Sequence, residues 1–334
     1  MTRAEFAILG AGAIGSILAA HLARSGHSVV VLARGDRARA VQRDGLRIKG
    51  LADFSVKVPV LTDPTQLVAA ETLIVAMKTP GTDVALQRLK HVELGAALSI
   101  QNGVLKNELL AQVFGPDRVL GALADTSGEL LASGEVLFTR NVNLPLGELA
   151  GGSSERARRI AGTIDGAGIR SVAVTDILSL EWSKFTVWLA LVSMGVTTRS
   201  ATWRYLSDAD CAQVLVRLVR EVAALARAQG IALVDGATTL PLRTILDTSE
   251  HEAVEAVRGA GEDMRSRAPG HRISALQDLE AGRPLEVEET FGYAVSKAKE
   301  HGLSLPLLEA FRHLVAGIDH ATRPSGNSLK DAPL

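Results

Sequence analysis

The sequence predicts an α/β protein, in which an N-terminal Rossmann-type doubly wound sheet is followed by an all-helical C-terminal domain. Apolar runs of strand length alternate with helical patterns in the first half, and long helical patterns follow one another in the second. A glycine-rich turn joins the first predicted strand to the first predicted helix. We therefore expect domains at residues 1–176 and 177–322, with residues 323–334 as a loose polar tail.

The first predicted strand and its glycine turn carry the clearest motif in the chain. Phe6–Leu9 has a buried-strand pattern and runs into Gly10, and Gly12 and Gly15 complete G-x-G-x-x-G before a helical pattern. In such a motif the glycines make a tight turn, let the backbone approach a pyrophosphate, and allow close packing of helix on strand. An ordinary glycine-rich connection is the alternative. The strand–turn–helix order favours a dinucleotide site formed by Gly10, Gly12, Ala13, Ile14 and Gly15.

Composition and charge argue against several other classes of protein. The formal net charge is −1 and basic residues are scattered, which disfavours nucleic acid or an anionic membrane as partner. No membrane span is expected, because no apolar run approaches about 18 residues. The single cysteine, Cys211, fits a reducing compartment, so a cytoplasmic protein is expected. The histidines form no metal-ligand spacing, so no metal site is expected.

The end of the second predicted strand bears on the choice between NAD and NADP. An NAD site places Asp or Glu there to hold the ribose hydroxyls, whereas this chain has Arg34 after Ser28–Ala33. A planar guanidinium matches phosphate oxygens, so Arg34 predicts a 2′-phosphate and hence NADPH. For Arg34 a solvated helix charge is the alternative, and for Arg37 and Arg39 that is the favoured interpretation.

Two later strands also end in polar residues. Thr72–Met77 is followed by Lys78, and Ala96–Ile100 is followed by Gln101–Asn102–Gly103. Ligands of doubly wound sheets bind at the carboxyl ends of strands, so Lys78 and Asn102 are candidate cofactor residues. Asn102 is a candidate substrate residue as well. An Asn-Gly pair can also be a simple turn, and position alone leaves that alternative open.

The remaining patterns complete both domains. Alternation over Leu46–Leu61 predicts a half-exposed hairpin, and Val136–Thr139 and Val142–Leu146 predict strands separated by polar turns. Ile169–Val174 predicts a last short strand. Helical patterns cover Ser153–Gly166, Ile177–Met194, Ser207–Gln229, Glu250–Arg265, Ser274–Glu280 and Glu286–His301, and a last helix begins at Pro306.

Together these residues resemble the ketopantoate reductase (2-dehydropantoate 2-reductase) family over nearly the whole chain. In the N-terminal half the resemblance rests on GAGAIGS at residues 10–16, Arg34, Lys78 and Gln101–Asn102–Gly103. In the C-terminal half it rests on Glu181–Trp182–Ser183–Lys184, Ser274–Ala275–Leu276–Gln277–Asp278 and Gly282–Arg283–Pro284–Leu285–Glu286. The resemblance implies a Rossmann domain, a helical domain, a substrate cleft between them, NADPH as hydride donor and a place in pantothenate biosynthesis. It also implies Lys184 as the catalytic acid and Glu286 as a substrate-binding glutamate.

The sequence context of Lys184, Glu286 and Ser274 leaves each of these residues two alternative roles. Lys184 lies within the apolar helix pattern Ile177–Met194, where a lysine is costly to bury without a partner. A partly desolvated ammonium can stabilise an alkoxide and donate a proton, although the side chain could instead extend to the helix surface. Glu286 is either a partner for Lys184 or for substrate, or a carboxylate favoured at a helix N-terminus. Ser274 either caps its helix or binds a substrate carboxylate.

Two positions depart from the family's pattern. The family helix usually carries asparagines four and eight residues after the lysine, where this chain has Trp188 and Val192. These spacings place all three side chains on one helical face, so if Lys184 faces the substrate, Trp188 and Val192 face it too. An indole and an isopropyl group make such a site drier and more crowded, which favours a more apolar substrate.

The sequence therefore predicts NADPH-dependent reduction of a 2-oxo acid to the 2-hydroxy acid, with ketopantoate or a more apolar relative as substrate. The alternatives are a different dehydrogenase on the same scaffold and a non-catalytic NADPH-binding sensor. Lys184 and Glu286 argue against a sensor, which needs neither. A small molecule is the expected partner, and a homodimer is compatible with the resemblance. The candidate substrate residues are Asn102, Trp188, Val192, Ser274 and Glu286.

Overall fold

The computed structural model describes residues 1–323 and divides into two compact units. Of the described residues, one unit contains 1–102 and 106–178, and the other contains 103–105 and 179–323. The loose tail predicted for residues 323–334 lies outside the described residues from position 324. Within the description, Arg323 pairs with the buried Asp319 at the end of the last helix.

The N-terminal unit is a mixed sheet with helices on both faces. Its strands in order β4-β3-β10-β8-β7-β6-β1-β2-β5 form one sheet, and β9 and β11 pair with β10. The strands are β1 Thr2–Leu9, β2 Val29–Leu32, β3 Leu46–Gly50, β4 Phe54–Val56, β5 Val60–Leu61, β6 Leu67–Val75, β7 Glu93–Ser99, β8 Val119–Ala122, β9 Asp125–Leu130, β10 Val136–Glu148 and β11 Ser171–Ala173. The helices are α1 Ala13–Arg24, α2 Gly35–Asp44, α3 Thr82–Gln87, α4 Leu105–Phe114 and α5 Glu155–Gly166, with short 3₁₀ turns at Pro64–Gln66 and Pro116–Arg118.

The central strand β1 shows why the sheet is doubly wound. It pairs in parallel with β2 on one side and with β6 on the other, so the strand order reverses beside it. Its side chains alternate between two cores: Phe6 and Ile8 belong to one apolar cluster, and Ala7 and Leu9 belong to another. The run Phe6–Leu9 is continuously apolar because both faces of this strand are covered. The predicted fold class is confirmed.

Two of the predicted β elements are arranged differently. The strands expected at Val136–Thr139 and Val142–Leu146 are one continuous strand, β10, so the prediction of a separating turn is wrong. The polar residues between them sit where the pairing of β10 with β9 shifts register, at irregularities that keep the ladder intact. The hairpin predicted over Leu46–Leu61 covers only β3 and β4, because β5 joins the parallel sheet beside β2.

The second unit is helical. Its helices are α6 Ile177–Thr198, α7 Thr202–Ser207, α8 Ala209–Ala228, α9 Leu242–Asp247, α10 Glu250–Arg267, α11 Ser274–Glu280, α12 Tyr293–Glu300 and α13 Pro306–Thr322. Its aliphatic core includes the apolar face of α8, with Leu215, Leu218 and Val222 fully buried. This is the amphipathic face that the sequence pattern indicates.

Helix α6 is the most apolar element of the chain. By length and composition it could cross a bilayer, so the expectation that no stretch reaches such a length is wrong. In the structure, 72% of its most apolar window is buried inside the protein. Val187, Leu189, Ala190 and Val196 all belong to the core of the helical unit, and this packing accounts for the hydropathy of α6.

The segment predicted as one helix from Glu286 to His301 begins irregularly. Glu288–Gly292 is a π-helical turn, and the α-helix α12 follows from Tyr293. The Thr290 hydroxyl donates to the backbone carbonyl of Glu286 in this turn. A π-helical turn inserts an extra residue and changes where side chains point, and such turns are frequent at functional sites.

Candidate active site

The carboxyl ends of four parallel strands lie side by side in the N-terminal unit. Leu9 of β1 is in register with Leu32 of β2 and with Val75 of β6, and Val75 is in register with Ser99 of β7. The four chains therefore leave the sheet at one edge. This edge, defined by the ends of β2, β1, β6 and β7, is called the binding edge below.

The cofactor residues that the sequence predicts at strand ends all follow this edge. Gly10 comes immediately after β1, and Arg34, Lys78 and Asn102 each come within three residues after β2, β6 and β7. Arg34 and Lys78 are exposed, and Asn102 is half-buried. Side chains separated by tens of residues in sequence are thus gathered along the edge where doubly wound sheets bind ligands.

The glycine turn after β1 is shaped by close backbone approaches. Gly10 has a φ of +110°, and a Cβ there would lie 2.7 Å from the backbone nitrogen of Met77. A Cβ on Gly15 would lie only 2.1 Å from the carbonyl oxygen of Gly10. Gly12 differs, because the nearest atom to a Cβ there is 3.8 Å away. Gly10 and Gly15 are therefore required by packing, whereas at Gly12 the absent side chain leaves open space for a ligand.

The N-terminus of α1 faces this space. Gly12 is the N-cap, no side chain caps the helix, and its first turn has no acidic residue. The first N–H groups of a helix have no partner within the helix, and they carry the positive end of its dipole. The backbone N–H groups of Ala13, Ile14 and Gly15 are in these positions. The turn and helix end fit the pyrophosphate of a dinucleotide.

Of the three arginines that follow β2, one is not placed as expected. Arg34 is exposed at the N-cap of α2, and Arg39 is exposed and pairs with Asp36. Arg37 was expected to be a solvated helix charge, which is wrong. It is half-buried and donates to the carbonyl oxygen of Ala11 (2.8 Å) and to the hydroxyl of Ser16 (2.9 Å). The helix α2 lies beside the glycine turn, so the side chain of Arg37 reaches back to it.

A chain of hydrogen bonds holds the loops after β6 and β7 together. The Ser99 hydroxyl donates to Gln101 Oε1 (2.9 Å), and Gln101 Nε2 donates to Thr82 Oγ1 (2.7 Å). Thr82 Oγ1 in turn donates to the carbonyl oxygen of Thr79 (2.8 Å). All four residues are buried. The positions of the neighbouring Lys78 and Asn102 are thereby fixed by partners that the strand pattern does not reveal.

Lys106 is a buried residue of this edge that the sequence reasoning did not identify. It is 4% exposed, and its ammonium donates to the carbonyl oxygen of Ser99 (2.9 Å) and to that of Ala122. These carbonyls lie at the ends of β7 and β8, so Lys106 ties the two strand ends together. A buried ammonium is stable only when its donors are satisfied. A lysine in the first turns of a helix with apolar neighbours was the available signal.

In the helical unit, Lys184, Trp188 and Val192 follow one another along one face of α6. Lys184 and Trp188 are half-buried, whereas the intervening residues Phe185 and Val187 are almost fully buried. The face that bears Lys184 is therefore the less covered side of an otherwise buried helix. Trp188 and Val192 line a small cavity within the helical unit.

This cavity, called the α6 cavity below, is mainly apolar with two carboxylates. The volume that the centre of a water molecule can occupy in this cavity is about 10 Å³. This is room for about one water molecule. The carboxylates are Asp278 and Glu286. The apolar lining includes Trp188, Val192, Leu285, Val287, Phe291 and Val315. The structure therefore brings Glu286 together with Trp188 and Val192, from segments about 100 residues apart in sequence.

Buried aspartates fix the loop that carries Glu286. Arg283 Nε donates to Asp278 Oδ1 (2.8 Å), and the backbone N–H of Arg283 donates to the carbonyl oxygen of Asp278 (2.8 Å). The backbone N–H of Leu285 donates to Asp319 Oδ1 (3.3 Å). Asp278 and Asp319 are 6% and 2% exposed, so each of these hydrogen bonds anchors the loop to the interior.

Ser274 is less closely tied to the cavity. It is exposed and is the first residue of α11, whose N-cap is Ile273, and no side chain caps that helix. The capping role considered for Ser274 is therefore absent from the described structure. Its neighbour Ala275 lines the α6 cavity, so Ser274 lies one residue from the cavity wall.

The glycine after Asn102 is packed within the helical unit. Gly103 has a φ of +80°, as expected for the glycine of an Asn-Gly turn. A Cβ on Gly103 would lie 3.3 Å from Thr290 Cγ2 in the π-helical turn and 3.9 Å from Phe185 Cε2 in α6. Within the helical unit, Gly103 thus lies beside α6 and the π-helical turn.

Among residues 1–323, no group of three or more histidine, cysteine, aspartate or glutamate side chains is placed to hold a metal ion.

Two models of one protein family match the chain. The ketopantoate reductase PanE/ApbA model matches residues 6–151, and the model of its C-terminal domain matches residues 176–319. The chain belongs to the ketopantoate reductase family. It is therefore a member of a family of oxidoreductases, and the resemblance drawn from its motifs is confirmed.

Individual relatives are distant but match almost end to end. The 2-dehydropantoate 2-reductase of Archaeoglobus fulgidus is 28% identical over 312 residues, which are 93% of this chain and 97% of that protein. The crystal structure of 2-dehydropantoate 2-reductase from Methylococcus capsulatus is 26% identical, with a TM-score of 0.77 over 97% of this chain and 99% of that one. D-mandelate dehydrogenase, solved with NADH and anilino(oxo)acetate, has the same fold at 18% identity, with a TM-score of 0.80 over 96% of this chain and 99% of that one.

Proposed function

We propose that this protein reduces a 2-oxo acid to the corresponding 2-hydroxy acid with NADPH. The observation that carries the proposal is the binding edge, where the glycine turn, Arg34, Lys78 and Asn102 follow four strand ends in register. Membership of the ketopantoate reductase family supports the reaction type. Residues Gly10, Gly12, Ala13, Ile14, Gly15, Arg34, Lys78 and Asn102 are assigned to cofactor binding.

The cofactor residues are assigned to three different parts of the dinucleotide. The N–H groups at the start of α1 would hold the pyrophosphate, and Arg34 would pair with the 2′-phosphate. Lys78 and Asn102 lie on the other side of β1 from Arg34, at the end assigned to the nicotinamide. When bound, NADPH supplies the hydride for the carbonyl carbon.

Lys184 and Glu286 are assigned to the substrate. The Lys184 ammonium would bind the carbonyl oxygen, stabilise negative charge that develops there and donate the proton that completes the hydroxyl group. Glu286 would orient the substrate by accepting a hydrogen bond. Glu286 is held for this by the Asp278–Arg283 pair and by the bond from Leu285 to Asp319. Ser274 and Asn102 are assigned to the substrate's polar groups.

The α6 cavity favours a 2-oxo acid with an apolar side chain over ketopantoate. Trp188 and Val192 line the cavity and offer a substrate hydroxyl no acceptor, so a polar substituent that packs against these two side chains would be left unpaired, and its acceptors in the cavity would be the carboxylates of Asp278 and Glu286. The cavity has room for about one water, so a larger substituent requires the side chains that line it to move. Similarity of fold does not distinguish ketopantoate from a more apolar substrate, because a 2-dehydropantoate 2-reductase and a D-mandelate dehydrogenase share the fold.

Cofactor oxidation with a panel of 2-oxo acids tests the reaction and the substrate together. Ketopantoate, pyruvate, 2-oxoisovalerate and phenylglyoxylate span polar to aromatic side chains, and NADPH consumption at 340 nm reports each reduction. We expect turnover, with higher kcat/KM for the apolar members. Binding of NADPH without turnover of any 2-oxo acid would instead support the sensor. A reducing cytoplasm and a homodimer remain predictions for localisation and assembly.

Arg34→Ala tests the choice of NADPH. The wild-type protein should bind NADPH more tightly than NADH, and the variant should lose most of that difference, about 1.5–3 kcal/mol for a charge-assisted contact. Dissociation constants for both cofactors, measured by quenching of intrinsic tryptophan fluorescence, give the comparison. Arg39→Ala is the matched control, because Arg39 is exposed on the same helix and paired with Asp36. Equal wild-type affinity for the two cofactors would remove the basis of the assignment.

A further inference from the structure

Arg37 makes three hydrogen bonds, two of them to residues of the glycine turn and the first turn of α1 and the third to a separate segment. Its Nε donates to the carbonyl oxygen of Ala11 (2.8 Å), and one terminal nitrogen donates to the hydroxyl of Ser16 (2.9 Å). The other terminal nitrogen donates to the carbonyl oxygen of Gly134 (2.9 Å). The Ser16 hydroxyl itself donates to Ala11 (3.0 Å), so Arg37 and Ser16 hold the same carbonyl.

The position of that carbonyl matters because Ala11 lies between Gly10 and Gly12. Ala11 and Ser16 are 5% and 0% exposed, so their hydrogen bonds lie in the interior beneath the turn. A peptide whose carbonyl is held on the inner side has its orientation fixed. The N–H groups that follow are then fixed relative to α1 before any ligand binds.

Arg37 also ties a second segment to the turn. Gly134 lies in the β9–β10 connection, the tight turn between Leu131 and Val136, called the hairpin tip below. Arg47 from β3 donates to the carbonyl oxygen of Ser133 in the same tip (2.5 Å). The hairpin tip is thus anchored by two arginines, and Arg37 joins it to the glycine turn.

The charge of Arg37 is not balanced within the described chain. All three of its partners are neutral oxygens, and no carboxylate among residues 1–323 lies within ion-pair distance of it. Exposed arginines nearby do have such partners, as Arg39 pairs with Asp36 and Arg43 with Asp44. Burial, and secondarily the charge of Arg47, lower the pKa of Arg37. A half-buried cation without a counter-charge, directly behind an anion-binding turn, favours a bound anion there.

We propose that Arg37 is a positioning residue of the cofactor site, which orients the glycine turn through Ala11 and favours the cofactor pyrophosphate through its unbalanced charge. This inference rests on the proposed function. It assigns Arg37 a role distinct from that of Arg34, which follows the strand end assigned to the 2′-phosphate. Arg37 acts on the turn, so its effect belongs to every ligand with a pyrophosphate, whether or not a 2′-phosphate is present.

The test compares Arg37→Met with wild type on three ligands: NADPH, NADH and adenosine 2′-monophosphate. The methionine side chain removes the charge and the three hydrogen bonds while keeping an unbranched chain. We expect the dissociation constants of NADPH and NADH to rise by the same factor, about 10- to 100-fold. That of adenosine 2′-monophosphate should change less than about threefold. Arg39→Met is the matched control and should behave as wild type with all three ligands.

Arg37→Lys separates charge from geometry and serves if the methionine variant does not fold. It keeps the positive charge but cannot reproduce the three bonds, so we expect an intermediate loss, equal for NADPH and NADH. Arg34→Ala should give the complementary pattern, weakening NADPH and adenosine 2′-monophosphate but not NADH.

Several outcomes would overturn the inference. Wild-type affinity for both dinucleotides in the Arg37 variants excludes the role, and a loss confined to NADPH makes Arg37 a 2′-phosphate ligand instead. An equal loss on all three ligands with a lowered Tm indicates a purely structural role. Failure of the proposed function looks different, because the wild-type protein would then either bind neither dinucleotide or bind NADPH without reducing any 2-oxo acid.

Discussion

The binding edge and the α6 cavity are built in opposite ways. At the binding edge the shape comes from the backbone: strand ends in register, two glycines that admit no Cβ, and free N–H groups at the start of α1. The α6 cavity is shaped by side chains from α6, α11, α13 and the segment around Glu286. A site made of backbone tolerates little variation in sequence, whereas a cavity made of side chains can be altered one residue at a time.

This difference predicts different consequences for substitutions at the two places. Replacing a residue at Gly10 or Gly15 forces the backbone to move, because the nearest atoms to a new Cβ are backbone atoms. Replacing Trp188 alters only a cavity wall. We therefore expect changes at the binding edge to affect cofactor binding and folding, and changes on α6 to affect turnover and substrate choice.

The largest effect is expected from Lys184→Ala on the α6 face. Loss of the ammonium removes the proton donor and the charge that stabilises the alkoxide, so kcat should fall by about 10²–10⁴-fold. The dissociation constant of NADPH should stay within about twofold, since Lys184 is assigned to the carbonyl. Steady-state kinetics and fluorescence titration measure the two quantities. Lys299→Ala, which removes an exposed lysine paired with Glu309, is the control. Undiminished turnover in Lys184→Ala would show that this side chain takes no part in the reaction.

Two glycine substitutions would test the backbone character of the binding edge. In Gly15→Ala the new Cβ would meet the carbonyl oxygen of Gly10, so unfolding free energy should fall by about 1–3 kcal/mol or more. In Gly12→Ala the Cβ has free space, so the unfolding free energy should fall by no more than about 1 kcal/mol, the cost of Ala in place of Gly at an N-cap, while NADPH binding weakens by about tenfold. Thermal unfolding and NADPH titration distinguish the two.

Gly162→Ala supplies the control for both, because Gly162 lies within α5 and a Cβ there meets nothing within 4 Å. It should raise the unfolding free energy by about 0.5–1 kcal/mol without affecting NADPH. If Gly12→Ala bound NADPH as wild type does, the open space at Gly12 would not be the pyrophosphate site.

The smallest and most specific effect concerns substrate choice. The double change Trp188→Asn with Val192→Asn introduces two amides into the α6 cavity, and a hydroxyl that gains a partner there is worth about 1–3 kcal/mol. The ratio of kcat/KM for ketopantoate to that for phenylglyoxylate should rise accordingly. Val192 is 3% exposed, so the single change Trp188→Asn should be made alongside in case the buried amide destabilises α6. A wild-type enzyme that strongly prefers ketopantoate to every apolar 2-oxo acid would falsify this account of the α6 cavity.

The parts of the structure that the sequence predicted are those set by local rules. The strand before the glycine turn and the amphipathic helix α8 follow from apolar patterns that repeat over a few residues. The incorrect predictions concern elements whose structure depends on residues that are distant in sequence. The polar residues within β10 suggest a turn, but pairing with β9 carries the strand through them. The apolar α6 fits a membrane span by composition, and only the helices packed around it make it a core helix.

The residues of the candidate site also form two groups, those that the sequence identifies and those that it does not. Gly10, Gly12 and Gly15 could be named from the spacing of the glycine motif, and Arg34, Lys78 and Asn102 could be named because each follows a strand end and parallel strands end at a common edge. Arg37 and Lys106 could not be assigned. Their partners are carbonyl oxygens of Ala11, Ser99 and Ala122, and nothing in a sequence marks a backbone carbonyl as an acceptor.

The sequence by itself thus determined the fold class, the family and the exposed and half-buried polar residues that follow the strand ends at the binding edge, but not the buried Lys106. Short-range periodicity and glycine spacing act through the backbone, whose geometry is the same in every protein. The tertiary structure alone decided that Arg37 supports the glycine turn and that Glu286 shares a cavity with Trp188 and Val192. These relations depend on which side chains meet after the chain has packed, and such contacts join residues with no fixed spacing between them.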